Sequence, residues 1–226
     1  MTELVVAIDG PAGAGKSTIA KRIAEGSGLS LVDTGAIYRA LALLSQREQI
    51  EPDDEATLAA RAASLPIAFH LRAGINRVSL AGEDVSDEIR SPAISMLASA
   101  VSRHPAVREA LLSLQRQLGT KGAVLEGRDI GTVVFPDAAV KVFLTASAEE
   151  RARRRCAQLV EQGKPQPYEQ VLREIVERDR VDSGRTVAPL RPAADAVVLD
   201  STALSEDEVV TLIRARIDAA KAVREA

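Results

Sequence analysis

The sequence predicts an α/β protein, a parallel sheet covered on both faces by helices, and three observations carry that prediction. Short apolar runs alternate with longer segments of helical periodicity, the order expected of strands joined by crossover helices. With no Trp, two Tyr and three Phe, the core must be built from Ala, Val, Leu and Ile, which suits helices packed on a parallel sheet. A glycine-rich turn separates the first apolar run from the first helical segment, so the chain opens as strand, loop, helix. At 226 residues it can bury one sizeable core, or a core with a small insert, and a single domain over 1–226 is expected.

Taken in order, Leu4 to Ile8 (LVVAI) is a short run rich in β-branched residues and reads as the first strand, with the first helix opening at Gly15. Further strands are expected at Leu31 to Val32, Ala123 to Leu125, Val140 to Leu144 and Ala196 to Leu199, and helices at Ile37 to Leu44 and Val107 to Leu118. Between Pro66 and Val85 the alternation breaks. There IAFHL, RAGIN, RVSL and AGEDV read as short strands joined by glycine-containing turns, a small antiparallel insert within approximately 61–95. The cluster GKPQP, Gly163 to Pro167, interrupts two helical segments as a hinged connection. The last helix shows the clearest pattern, with Val209, Leu212, Ile213, Ile217 and Ala220 assigned to its buried face.

Composition excludes several classes of function. The formal net charge of −3 provides no global basic field for duplex nucleic acid or a membrane surface, and the scarcity of aromatics removes base-stacking platforms. One cysteine, Cys156, cannot close an internal disulfide and reads as a partly buried apolar residue. His70 and His104 lack metal-ligand spacing; His70 alternates within an insert strand, and His104 before Pro105 reads as a helix boundary. The opening MTELVVAIDG lacks the pattern of a signal peptide and no 18 consecutive apolar residues occur, so a cytoplasmic location is expected. No apolar stripe is left over after the core helices are assigned, which favours a monomer.

The residues Gly10, Pro11, Ala12, Gly13, Ala14, Gly15, Lys16 and Ser17 fit the pattern of glycine, four residues and Gly-Lys-Ser, in the strand-to-helix setting which that motif requires. Glycines let backbone N–H groups curl around phosphates, and the helix N-terminus adds a positive dipole. Lys16 supplies a mobile cation, and the Ser17 hydroxyl can ligate Mg²⁺ carried by the nucleotide. Of the 29 Lys and Arg residues 23 are arginine, the better fork for phosphate oxygens, although surface positions such as Arg47 and Arg61 need only a compositional explanation. Two segments go beyond composition. Asp33-Thr34-Gly35-Ala36-Ile37-Tyr38-Arg39 and Glu126-Gly127-Arg128-Asp129-Ile130-Gly131-Thr132 each follow a strand, at the sheet edge where open α/β sheets bind ligands. A structural Arg128–Asp129 pair is the plainer reading of the second. Before the Pro/Gly interruption, Glu149 to Arg155 (EERARRR) reads partly as a solvated face with Glu–Arg pairs. It also reads as a lid over approximately 151–182, with Arg151 and Arg155 on one face closing over a transferring phosphoryl group.

GPAGAGKST, DTGAIYRA, VREALL, EGRDIGTVVFPDA and ERDRVDSGR followed by APL, in this order and spacing, resemble the bacterial cytidylate kinase family over nearly the whole chain. The insert resembles the extra antiparallel sheet of that family. The resemblance implies a P-loop kinase that transfers a phosphoryl group from ATP, with Mg²⁺, to CMP or dCMP. It implies that Thr34 and Arg39 hold the acceptor phosphate with Tyr38 lining the pocket, that Ser99, Arg108 and Asp129 read cytosine, and that Arg128 faces the transferring phosphates. Arg178, Asp182 and Arg185 then serve ribose and phosphate recognition. Some members carry Gly where Ser17 stands, which makes Thr18 an alternative Mg²⁺ ligand. The chemistry agrees: cytosine offers an N4 donor with N3 and O2 acceptors, complementary to a carboxylate beside Ser and Arg donors. Uracil reverses part of that edge at roughly 1–3 kcal/mol per mismatch, so CMP should be preferred to UMP. A nucleotide-dependent switch is the rival from another class, recognised by turnover without an acceptor. No catalytic base is required, because the acceptor oxygen is already anionic.

Overall fold

The computed structural model describes residues 3–72 and 75–225 and divides into two compact units, residues 1–31 with 119–226, and residues 32–118. The parallel sheet is formed by β1 (Val5–Asp9), β2 (Ser30–Asp33), β6 (Ala123–Gly127), β7 (Val140–Thr145) and β8 (Val197–Asp200) in the order β2-β6-β1-β7-β8. Every residue of β1 is buried, since both faces of a parallel strand are covered, and it pairs with β6 on one side and β7 on the other. Successive strands therefore leave β1 in opposite directions, and the loop after β1 opens at a topological switch point.

In the first unit, α1 (Lys16–Ser27) turns Ile19, Ala20, Ile23 and Ala24 toward the sheet and ends at Gly28, whose φ of 71° lets its N–H bond back to the Ala24 carbonyl. These residues pack with Val6, Ile8, Val142 and Leu144 and with Val209, Val210, Ile213 and Ile217 of α8 (Glu206–Glu225). Leu212 departs from the sequence expectation: it is exposed and Val210 takes a place in the core, because the buried stripe lies one position to the side of the face assigned to it. The GKPQP interruption separates α6 (Ala148–Glu161) from α7 (Tyr168–Ser183), a helical hairpin packed through Ala152, Leu159, Val171 and Ile175 with half-buried Cys156 against them.

The second unit holds α2 (Thr34–Arg47), α3 (Glu55–Ala63), α4 (Pro92–Val101) and α5 (Pro105–Gly119), whose core includes Ile37, Leu41, Leu58, Ile94 and Leu111. The expected antiparallel insert is present as β3 (Ile67–Arg72), β4 (Ile75–Leu80) and β5 (Glu83–Asp84). Ala81 and Gly82, with φ of 51° and 85°, make the two-residue turn between β4 and β5. The other glycine turn expected here, at positions 73 and 74, lies outside the described residues. His70 on β3 meets the Ser79 hydroxyl at 3.0 Å, and His104 sits before α5 with its Nε2 2.7 Å from the Pro52 carbonyl. Among the described residues no helix is long and apolar enough to cross a membrane.

Candidate active site

The loop from Gly10 to Gly15 joins β1 to α1, and its shape depends on glycine at three positive φ values, 147° at Gly10, 77° at Gly13 and 88° at Gly15. A Cβ on Gly10 would lie 1.9 Å from the Leu144 carbonyl oxygen, so the loop can leave the sheet here only without a side chain. Gly15 stands at the N-cap of α1 and makes no side-chain cap. The first-turn N–H groups of α1 consequently lack intrahelical acceptors and suit an anion. Lys16 is buried and donates its Nζ to the Pro11 carbonyl at 2.7 Å, folded back along the loop. Burial, and then the nearby Arg128 and Arg178 guanidiniums, push its ammonium down to about 7 against the pull of Glu126 and Asp9. Ser17 and Thr18 are both exposed at the start of α1.

Asp9 closes β1 directly before this loop, and reasoning from sequence missed it. Its carboxylate is buried and accepts the Ile130 N–H at 2.8 Å and the Gly131 N–H at 2.7 Å. Burial raises it to about 6, and the two backbone bonds moderate that rise. An acid ending an otherwise apolar strand was the available signal. Beyond β6, residues Ile130–Val134 form a π-helical turn, with Asp129 at its N-cap and the Asp129 carbonyl accepting from Val133 and Val134.

The Arg128–Asp129 pair is not what the structure forms. Arg128 Nε instead donates to Asp182 Oδ2 at 3.0 Å, while Arg185 donates to the other oxygen of the same carboxylate. Burial alone would raise Asp182, yet Arg128, Arg185 and Arg178 together hold it below the usual carboxylate range. Three arginines expected at the site, Arg128, Arg178 and Arg185, thus surround one buried acid that was expected there too.

Arg151, expected with Arg155 on one face of a lid, is buried at the start of α6, where Nε donates to the Ala146 carbonyl at 2.9 Å and Nη1 to the Ala12 carbonyl of the glycine loop at 3.1 Å. Its Nη2 bonds Asp179 of α7 at 2.7 Å. The cause is steric as well as electrostatic, since a Cβ on Gly13 would come within 3.1 Å of the Arg151 Cβ and only glycine lets α6 approach the loop so closely. Arg155 lies toward solvent and donates to Gln158 at 2.6 Å. Arg153 and Arg154 both pair with Glu150, the solvated-face pattern expected for two members of this run.

The second unit gathers the other expected residues. Asp33 caps α2 by accepting the Ala36 N–H at 3.0 Å and takes Arg39 Nη2 at 2.7 Å. Gly35 leaves room for that pair: a Cβ there would sit 3.0 Å from Arg39 Nη1. Arg39 Nε is buried and has no acceptor among the described residues. A guanidinium held at one edge and unsatisfied at another suits a phosphate oxygen. Thr34 is buried at the start of the same helix. Arg108 on α5 lies over the Tyr38 ring, 5.3 Å from its centroid, and donates to the Ser102 carbonyl at 3.1 Å, while the Ser102 hydroxyl donates to the Ser99 carbonyl at 3.1 Å. Ser102 thereby joins Ser99 to Arg108, a link between adjacent helices that no local motif marks.

The family profile described as Cytidylate kinase matches residues 6–219. A curated cytidylate kinase of Geobacter sulfurreducens is 54% identical over 208 residues, spanning 92% of this chain and 89% of the relative. One from Saccharophagus degradans is likewise 54% identical over 208 residues, with 91% and 93% covered, and one from Pelotomaculum thermopropionicum is 50% identical over 218 residues, with 96% of each covered. Among solved structures, an uncharacterised protein from Eubacterium ventriosum aligns with a TM-score of 0.51 at 11% identity over 96% of this chain and 99% of that one, a likeness of fold alone. The phosphate-binding loop, the arginine set and these relatives agree: the chain belongs to the cytidylate kinase family.

Proposed function

We propose that the protein transfers the γ-phosphoryl group of ATP to CMP or dCMP, giving ADP with CDP or dCDP, as a cytoplasmic monomer. The observation that carries this reading is the division of labour among its cationic groups: a lysine and helix N-terminus at the glycine loop, and a separate, partly unsatisfied Arg39 beside Asp33. The loop amides and Lys16 take the donor phosphates. Thr34, Tyr38 and Arg39 take the acceptor phosphate, and Ser99, Arg108 and Asp129 take the cytosine edge. Arg128, Arg178, Asp182 and Arg185 serve the phosphates and ribose, and Arg155 and Arg151 complete the charge around the moving group.

Catalysis of this kind is positioning and charge neutralisation. The burial of Lys16 excludes water and makes its charge more effective against a phosphate oxygen. Ser17, or its neighbour Thr18, would hold Mg²⁺, which would supply positive charge against the donor phosphates. The helix N-terminus orients the donor, and Arg39 orients the acceptor oxygen without removing a proton from it. The test is ADP formation from Mg-ATP in parallel with CMP, dCMP, UMP, AMP, GMP, shikimate or no acceptor. Activity with CMP and dCMP, weak with UMP, is the expected result. Turnover without acceptor would overturn the reading in favour of a nucleotide switch.

A further inference from the structure

Two successive carbonyls of the glycine loop are held by cations: Lys16 donates to Pro11 at 2.7 Å and Arg151 to Ala12 at 3.1 Å. The peptide between Ala12 and Gly13 is planar and trans, so a carbonyl held on one side sends the Gly13 N–H to the other. Gly13, at a φ of 77°, has no side chain to resist rotation of that peptide. A loop that binds phosphate through its amides works best when those amides already face one way. Arg151 can supply that constraint only while its own guanidinium is fixed.

Each nitrogen of the Arg151 fork has a different partner: Nε the Ala146 carbonyl at 2.9 Å, Nη1 the Ala12 carbonyl, and Nη2 the Asp179 Oδ2 at 2.7 Å. Of the three, Asp179 alone brings an opposite charge, and it comes from α7 while Arg151 stands on α6. The other oxygen of Asp179, Oδ1, is buried and has no hydrogen-bond partner among the described residues. Leaving a carboxylate oxygen unsatisfied costs stability, so a role in packing alone accounts poorly for an acid at this position.

We propose that Asp179 is a positioning residue for the donor nucleotide: it fixes the Arg151 guanidinium, which holds the Ala12 carbonyl, and the Gly13 N–H is thereby kept turned toward the donor phosphates. This rests on the assignment of the glycine loop to ATP. Without Asp179 the Arg151 fork loses its charged partner, the Ala12–Gly13 peptide gains freedom, and the donor must order the loop as it binds.

The test is calorimetric binding of Mg-ATP without acceptor, together with steady-state kinetics in which ATP and CMP are varied separately, on Asp179→Ala, Arg151→Met and the double variant. Asp179→Ala is expected to weaken ATP binding and raise the KM for ATP about tenfold, the scale of one hydrogen bond to a charged group, while the KM for CMP moves less than about twofold. The double variant should bind ATP no more weakly than Arg151→Met, because both changes act through the same Ala12 contact. A merely structural pair would lower the melting temperature and leave the ATP affinity of the folded protein unchanged, and that result would overturn the proposal. So would equal losses for ATP and CMP, additive losses in the double variant, or a fall in kcat at unchanged ATP affinity, which would put Arg151 on the moving phosphoryl group instead. If Arg151→Met weakens ATP binding and Asp179→Ala does not, this inference alone falls; if the unaltered protein does not bind Mg-ATP, the loop assignment falls and takes the inference with it. Should Asp179→Ala not fold, Asp179→Asn keeps an acceptor oxygen without the charge. A selective weakening for ATP of about two- to threefold is then expected, and an unchanged ATP affinity would count against the brace.

Discussion

The glycine loop of the first unit and the α2–α5 cluster of the second present their polar groups on different materials. The loop offers backbone N–H groups and one lysine, held in place by the absence of side chains at Gly10, Gly13 and Gly15. The cluster offers side chains held by other side chains: Arg39 by Asp33, and Arg108 by the Tyr38 ring and the Ser102 carbonyl. A backbone site fails all at once when a glycine is replaced, whereas a side-chain site loses one contact at a time.

The sharpest way to break that comparison is Gly10→Ala. With its Cβ 1.9 Å from a backbone oxygen that cannot rotate away, the variant is expected to lose more than about 4 kcal/mol and to give little soluble protein, read by expression and thermal melting. Lys16→Met should leave the melting temperature nearly intact and lower kcat by about 10²–10³, the scale of one preorganised charge at a transition state, in an ADP-release assay. Survival of kcat would mean that the backbone alone carries the donor. Arg39→Ala should act on one substrate only, raising the KM for CMP about 10- to 100-fold with that for ATP unchanged. A parallel rise for ATP would erase the distinction between the two sites.

The smallest effect is a fraction of a proton. Burial holds free Lys16 near 7, so at pH 8 most of it is neutral; bound phosphates raise that value, and ATP binding must then take up protons. Calorimetry at pH 8 in buffers of different ionisation enthalpy should show the uptake, diminishing toward pH 6 where Lys16 is already charged. Proton release, or none at pH 8, would show that Lys16 carries its charge before ATP arrives.

The same contrast explains what could be read from the sequence. The glycine loop was fully legible, because its constraints act between residues a few positions apart. The segment holding Thr34, Tyr38 and Arg39 was legible as the start of a helix after a strand, while the roles proposed for these residues, like those for Ser99 and Arg108, come through resemblance alone. The partners were not. Asp182, which takes Arg128 in place of Asp129, lies 54 positions away, and Ala12, which takes Arg151, lies 139 away. A local pattern cannot rank such pairings, since it contains neither the distance nor the competing acceptor. Asp9 was overlooked for a related reason: its role appears only when β6 is laid beside β1. Leu212 was misplaced because a helical period defines a stripe to within about one residue, and the sheet decides which edge of it is covered.

The arginines gathered on Asp182 also have a consequence for how substrates arrive. Asp182 sets one negative charge against the three of Arg128, Arg178 and Arg185, so the cluster keeps an excess of positive charge on a chain whose net charge is −3. That local excess is felt by an anionic nucleotide chiefly within a Debye length of roughly 8 Å at physiological salt, so capture should slow as the ionic strength of the surroundings rises.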